Sequence, residues 1–197
     1  SEQDLATAAS RIADMQAHAP LGEIGFGAGD ATRLPIADER VDVVIASEIL
    51  EHIPDYLQVL KEAMRVLKPG GRLCISVPRQ WPEWVCWQLS EGYRTSPGGH
   101  IRIFDATHLR REVQRYGFLY RGRGSAHALH VPYWWLKCIY WRRDHEPWIL
   151  RMYHKLLVWD LMRRPWLTRV VDAVLNPLMG KSVCLLYTSD AADDSQC

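Results

Sequence analysis

The sequence predicts an α/β fold: an open, mostly parallel sheet, doubly wound but incomplete, with a helical, aromatic-rich cap. Three observations predict it. Residues 41–78 read as strand, helix, strand, the unit from which parallel sheets are built. The 197 residues are 48% hydrophobic and 24% charged, a balance that supports one globular core. Beyond Pro132, three helical stretches carry most of the nine tryptophans.

Taken in order, Leu5, Ala8, Ala9, Ile12 and Met15 recur at helical spacing, so residues 3–18 predict a helix that Pro20 ends. Residues 21–28 read as a short glycine-rich strand. V-D-V-V-I-A at 41–46 is a β-branched run typical of a buried parallel strand. From Pro54 to Lys68, Leu57, Leu60, Met64 and Leu67 line one helix face, with Asp55 suited to the N-terminus. Lys68-Pro69-Gly70-Gly71 turns the chain, and residues 72–78 form the second strand, reached by a right-handed crossover. Residues 79–104 read as irregular. Asp105 is placed to cap a helix through Tyr116, closed by Gly117, and residues 118–121 begin another strand. Three helices follow between Pro132 and Met179, broken near Pro147 and Pro165, and Lys181 to Tyr187 reads as a last strand.

Composition excludes several classes. The net charge of +1 argues against nucleic acid as a partner. No run approaches the roughly 18 apolar residues of a membrane span. The five cysteines lack C-x-x-C spacing, so a reducing, cytoplasmic setting is the simplest expectation.

The chemistry-bearing residues form a connected series. G-D-A-T-R-L-P-I-A-D at 29–38 precedes Val41-Asp42-Val43-Val44-Ile45-Ala46. Ser47-Glu48-Ile49-Leu50-Glu51-His52-Ile53, Arg65 through Leu73 (R-V-L-K-P-G-G-R-L) and Gly99-His100-Ile101-Arg102-Ile103-Phe104 follow, then Leu109-Arg110-Arg111 and Gly117-Phe118. Over about residues 1–125 this series resembles class I S-adenosylmethionine (SAM)-dependent methyltransferases of the broad small-molecule group. The resemblance implies a Rossmann-like sheet with ligands beyond the carboxyl ends of its strands. It implies that the Asp30 carboxylate accepts from the adenine amino group and that Ala31 adds a backbone contact. It also implies that the backbone at Ala46, Ser47 and Glu48 passes the methionine part of SAM.

Glu23 with Gly25-Phe26-Gly27-Ala28-Gly29 imitates the family's glycine loop. A lone G-x-G-x-G is weak, and Val41 follows Gly29 by only twelve residues. One strand–helix–strand unit alone takes about 30 residues. The expectation is therefore that the glycine loop and the ribose-binding acid lie before Ser1, and that these 197 residues alone bind SAM poorly and are inactive.

His52 and His100 are the candidate catalytic residues, either able to take a proton from a hydroxyl or amine. Methyl transfer from a sulfonium rests largely on in-line orientation, so such a base helps without being required. The preferred reading assigns no metal. An alternative does: Glu48, Glu51 and His52 spell the E-x-x-E-H with which some O-methyltransferases, resembling ubiquinone-pathway and small-RNA 3′-end enzymes, bind Mg²⁺ or a similar ion.

Residues 131–170 hold eight Lys/Arg against three Asp/Glu. Tryptophan beside arginine suits a membrane interface, giving a possible peripheral contact; the alternative is a cap whose tryptophans pack inward. The substrate segments are expected at 79–104 and 126–179, within a partial methyltransferase domain over 1–183. Residues 184–197 are expected to be a non-native tail, because Cys184 to Asp194 resembles the in-frame translation of a transposase sequencing adapter. The expected function is transfer of a methyl group from SAM to a small-molecule or lipid-like acceptor, at oxygen. A non-catalytic methyltransferase-like binding module is the other class weighed.

Overall fold

The computed structural model describes residues 24–143, 145–163 and 165–190, together with Ala6, Thr7, Ala9, Ser10 and Ile12, which are helical. The elements in order are β1 (Val41–Ser47), α1 (Tyr56–Val66), β2 (Leu67–Pro78), α2 (Gln80–Leu89), α3 (Glu91–Arg94), α4 (Ala106–Arg115) and β3 (Phe118–Ala126). Then come α5 (His130–Ile139), α6 (Trp148–Arg163), α7 (Trp166–Met179) and β4 (Ser182–Ser189). The four strands form one open sheet in the order β1-β2-β4-β3. β1 and β2 pair in parallel, while β4 runs antiparallel to both β2 and β3. Three of the four strands therefore point the same way, and their carboxyl ends share one edge.

The core lies on one face of the sheet. Leu73, Ile75 and Val77 of β2 and Val183, Leu185 and Tyr187 of β4 alternate inward onto Leu60 and Ala63 of α1 and Leu109 and Val113 of α4. The opposite face is open among the described residues: Val43, Ile45, Leu119 and Leu186 are exposed. β1 thus has the composition of a strand buried on both faces but is an edge strand here, with Ile45 70% exposed.

Two caps, a glycine turn and one arginine explain the joins. Asp55 and Asp105 cap α1 and α4 through their carboxylates. Gly70, at φ 74°, lets the chain turn between Leu67 and the main run of β2. Arg79, just past β2, donates to the carbonyls of Asn176, Pro177, Leu178 and Gly180 and to the Ser125 hydroxyl. It satisfies the orphan carbonyls that end α7 and ties the cap to β3.

Two sequence readings change. The expected strand at 21–28 falls partly outside the described residues; residues 24–28 have no ladder partner and are exposed. Gly25 and Gly27 bring no side chain to a sheet and lose the most entropy on ordering. Segment 79–104 is not irregular but carries α2 and α3. The last strand, expected over 181–187, is β4, which runs on to Ser189 with Leu185 and Tyr187 buried.

Candidate active site

The site grows from the carboxyl end of β1. Glu48 follows the strand at φ 51°, a left-handed conformation that costs energy in any residue with a Cβ. Two bonds hold it: its N–H donates to the Ser76 carbonyl at 3.0 Å, and its carboxylate accepts from the Ser76 hydroxyl at 2.9 Å. The Ser47 and Ser76 hydroxyls are 3.0 Å apart. This turn swings the following residues beneath the loop that carries His100.

Glu51 is fully buried, and neither carboxylate oxygen has a hydrogen-bond partner among the described residues. Burial pushes its pKa up, and the nearby Glu48 charge adds to this. Two imidazoles flank it: His52 Nε2 is 3.9 Å and His100 Nε2 is 4.0 Å from Glu51 Oε1. The two rings meet edge to face at 5.0 Å.

The remaining ring nitrogens fix the tautomers. His52 Nδ1 lies 3.1 Å from the Gly99 carbonyl, which can only accept, so Nδ1 carries the proton. His100 Nδ1 lies 2.6 Å from Glu83 Oε1. Burial opposes ionisation of Glu83, yet the His100 bond, with Lys181 and the Tyr93 hydroxyl, holds its pKa below the usual value. The Glu83 carboxylate therefore accepts from His100 Nδ1 as well as from Tyr93, 2.9 Å away. In this tautomer the second nitrogen of each ring, Nε2, faces Glu51. A carboxylate and two Nε2 atoms thus converge at a spot that a proton or a cation would satisfy.

Arg102 locks this geometry. It donates to the carbonyls of Leu50, Ile53 and Pro54 and stacks over Tyr56, while Ile101 N–H reaches the Glu51 carbonyl. Beside the histidines opens a cavity of about 560 Å³ lined by His52, Trp87, Arg94, Gly98, Gly99 and His100, among others. That volume suits a small-molecule acceptor. The Trp87 indole N–H is buried without a partner.

The expected cofactor residues lie at the same edge of the sheet. Asp30 Oδ1 accepts from the Thr32 hydroxyl and N–H, which lower its pKa, and its other oxygen has no partner among the described residues. The Asp30 turn touches the first turn of α1 through Gln58 and the Thr32 carbonyl, and Ala31 packs on the core. Below it, the Leu-Pro loop is held by α1: Leu34 N–H donates to Glu62, and Arg65 binds the carbonyls of Leu34 and Ile36 and the carboxylates of Asp38 and Glu62. Ala46 is buried, and Ser47 and Glu48 turn their side chains to Ser76.

The structure thus unites His52 and His100, 48 positions apart in sequence, and adds Glu51. Glu48, part of the alternative metal motif, is committed to Ser76, and His100 stands beside Glu51 and His52 instead. Glu83 and Tyr93 are functional neighbours that the sequence reading missed. No local motif marks them; only the fold brings α2 and α3 beneath the His100 loop.

An open sheet with a site beyond its parallel strand ends is the architecture of class I SAM-dependent methyltransferases. Residues 1–75 match the family model described as "Methyltransferase domain". The chain is 42% identical over 74 residues to methyltransferase GfsG of Streptomyces halstedii, covering 36% of this chain and 27% of that protein. It is 50% identical over 50 residues to the 27-O-demethylrifamycin SV methyltransferase of Amycolatopsis mediterranei, covering 25% and 18%. It is 40% identical over 73 residues to the demethylmenaquinone methyltransferase of Halalkalibacterium halodurans, covering 37% and 28%. The matches thus span 18% to 28% of these curated relatives. Among solved structures, the cyclase SpnF superposes with a TM-score of 0.58 at 19% identity, over 97% of this chain and 65% of that one. A Pyrococcus horikoshii OT3 protein gives 0.54 at 15% identity, over 96% and 68%. These two likenesses show the fold. That one is a cyclase is a reminder that chemistry must be argued from the site.

Proposed function

We propose that the protein transfers a methyl group from SAM to a hydroxyl of a small-molecule or lipid-like acceptor held in the His52–His100 cavity. The observation that carries this reading is the buried Glu51 carboxylate, unpartnered among the described residues and flanked by two imidazoles. Two relatives are named for small molecules, 27-O-demethylrifamycin SV and demethylmenaquinone, which supports an acceptor of that size.

The residues at the strand ends fit SAM. Asp30 offers its second carboxylate oxygen to the adenine amine, and the end of β1 at Ser47 and the Glu48 turn is the stretch assigned to the methionine part. When bound, the cofactor supplies an electrophilic methyl carbon on a sulfonium. The chain's own work is to orient the acceptor and manage its proton. Nε2 of His100 takes the hydroxyl proton, and Glu83 at Nδ1 stabilises the imidazolium that results. Because sulfonium transfer needs modest base assistance, this is worth on the order of 10²-fold in rate.

The same cluster supports a second reading, in which a divalent cation sits among Glu51, His52 and His100. One ligand atom from each lies within 4.8 Å of the others. A carboxylate and two imidazoles favour a transition ion over Mg²⁺. Such a cation would occupy the space between these ligand atoms and lower the pKa of the acceptor hydroxyl.

The test is SAM-dependent methylation of a panel of hydroxylated aromatic acceptors by the full-length gene product, read as S-adenosylhomocysteine release. Glu51→Gln and His100→Ala are expected to lower the rate about 100-fold while leaving SAM affinity unchanged. Full activity after exhaustive chelation removes the cation reading. Unaltered turnover in both variants removes the site.

A further inference from the structure

We infer that α6 docks the protein onto an anionic lipid surface. The helix has two faces of different character. Leu150, Tyr153 and Leu157, spaced three and four apart, turn inward onto Leu129, Tyr133 and Trp134 of the cap. The Tyr153 hydroxyl fastens that face to the Leu129 carbonyl at 2.9 Å. On the other side, Trp148, Met152, Lys155, Trp159 and Met162 repeat at spacings of four and three, which places them along one stripe. Its four apolar members are 47% to 75% exposed.

Single exposed apolar residues need no explanation, but two tryptophans and two methionines in register do. The tryptophans of the cap divide accordingly. Trp134 and Trp135 are half-buried, packing against Tyr93 and Trp81, whereas Trp148, Trp159 and Trp166 face outward. The inward-packing alternative therefore accounts for only part of the set.

Charge decides the occupant. The exposed ionised side chains of α6 are Arg151, Lys155 and Arg163, and none meets a carboxylate among the described residues. Asp160, the helix's one acid, is partly buried. A second copy laid on this stripe would set cation against cation. A bilayer carrying anionic headgroups satisfies both features: tryptophan and methionine enter the interface while lysine and arginine reach back to the headgroups. A groove of about 440 Å³ lined by His154, Lys155, Val158, Trp159, Met162 and Arg163 places two cations beside apolar walls, suited to a headgroup and the start of its chains. The helix, at 16 residues about 24 Å long, lies along a surface rather than across it, and no described helix is long and apolar enough to cross a membrane.

The test is sedimentation of the full-length gene product with vesicles of phosphatidylcholine and phosphatidylglycerol at 3:1, and with phosphatidylcholine alone, at low salt. Binding to the anionic vesicles, a blue shift of tryptophan emission, and at least a tenfold loss of binding in Arg151→Glu/Lys155→Glu and in Trp159→Ala are expected. Circular dichroism checks that both variants keep their fold, which these exposed positions should allow. No binding to anionic vesicles, or equal binding by correctly folded variants, overturns the inference. So does a concentration-dependent dimer that Trp159→Ala abolishes, which would make the stripe an interface between copies. The readout involves no methyl transfer, so its failure leaves the proposed reaction standing, and the converse holds.

Discussion

Glu51 works against the stability of the chain that carries it. A buried carboxylate with no hydrogen bond costs free energy whenever it is ionised. Its folded pKa is raised, so the folded state holds the proton more tightly than the unfolded chain does. Stability is therefore lost as pH rises from the ordinary carboxyl range through the raised value. Glu51→Gln is expected to raise the midpoint of thermal unfolding at pH 8 relative to wild type while methyl transfer falls. A variant less stable at every pH would identify Glu51 as a structural residue. Glu62 behaves in the opposite way. Arg65 and the Leu34 N–H hold its carboxyl down at about 2. Its contribution is fully present above about 4.5 and is lost as pH falls toward 2. Urea titrations between pH 5 and 2.5 should show wild-type stability falling with acid more steeply than Glu62→Gln; parallel profiles would contradict the assignment. In the sequence, Asp30, Glu48, Glu51 and His52 were visible because they cluster within one motif series. Glu83 was not, because its meaning comes from a 2.6 Å contact with a loop 17 positions away.

At the scale of elements, the legible parts had strong local chemistry. The caps at Asp55 and Asp105, the Lys68-Pro69-Gly70-Gly71 turn and the proline breaks before α6 and α7 are each set by neighbours in sequence, and each stands where the sequence places it. α2 was missed because its pattern lacks two distinct faces: Trp81, Trp84 and Trp87 interrupt the buried series Pro82, Glu83 and Cys86, so no helical period stands out. β4 shows the other kind of limit. Val183, Leu185 and Tyr187 alternate as a half-buried strand should, but nothing local says that the strand lies between β2 and β3. Its Tyr187 ring is fully buried against Phe118 and Tyr120, with the hydroxyl unpartnered. Tyr187→Phe removes an unsatisfied polar group and keeps the ring. It is expected to be neutral or to stabilise by about 1 kcal/mol in urea denaturation, and a loss beyond about 1 kcal/mol would show that the hydroxyl has a partner.

At the scale of the molecule, the sheet divides labour. One face packs on α1 and α4 and holds the core; the carboxyl edge carries Asp30, the Glu48 turn and the Glu51–His52–His100 cluster; α5 and α7 of the cap pack at that same edge, against α2 and the end of β3, with α6 on α5. The fold class was legible because a strand–helix–strand unit admits few arrangements. The acceptor was not, since the cavity wall draws on α2, α3 and the loop after them, whose sequences follow no general rule. The central claim is that this edge binds SAM through Asp30 and presents the acceptor at His100. The most direct measurement is calorimetric titration of SAM into the full-length gene product and its Asp30→Ala and Glu51→Gln variants. The account predicts binding by wild type, at least tenfold weaker binding by Asp30→Ala and unchanged binding by Glu51→Gln. Absence of SAM binding by the full-length product, or indifference to Asp30→Ala, would contradict it.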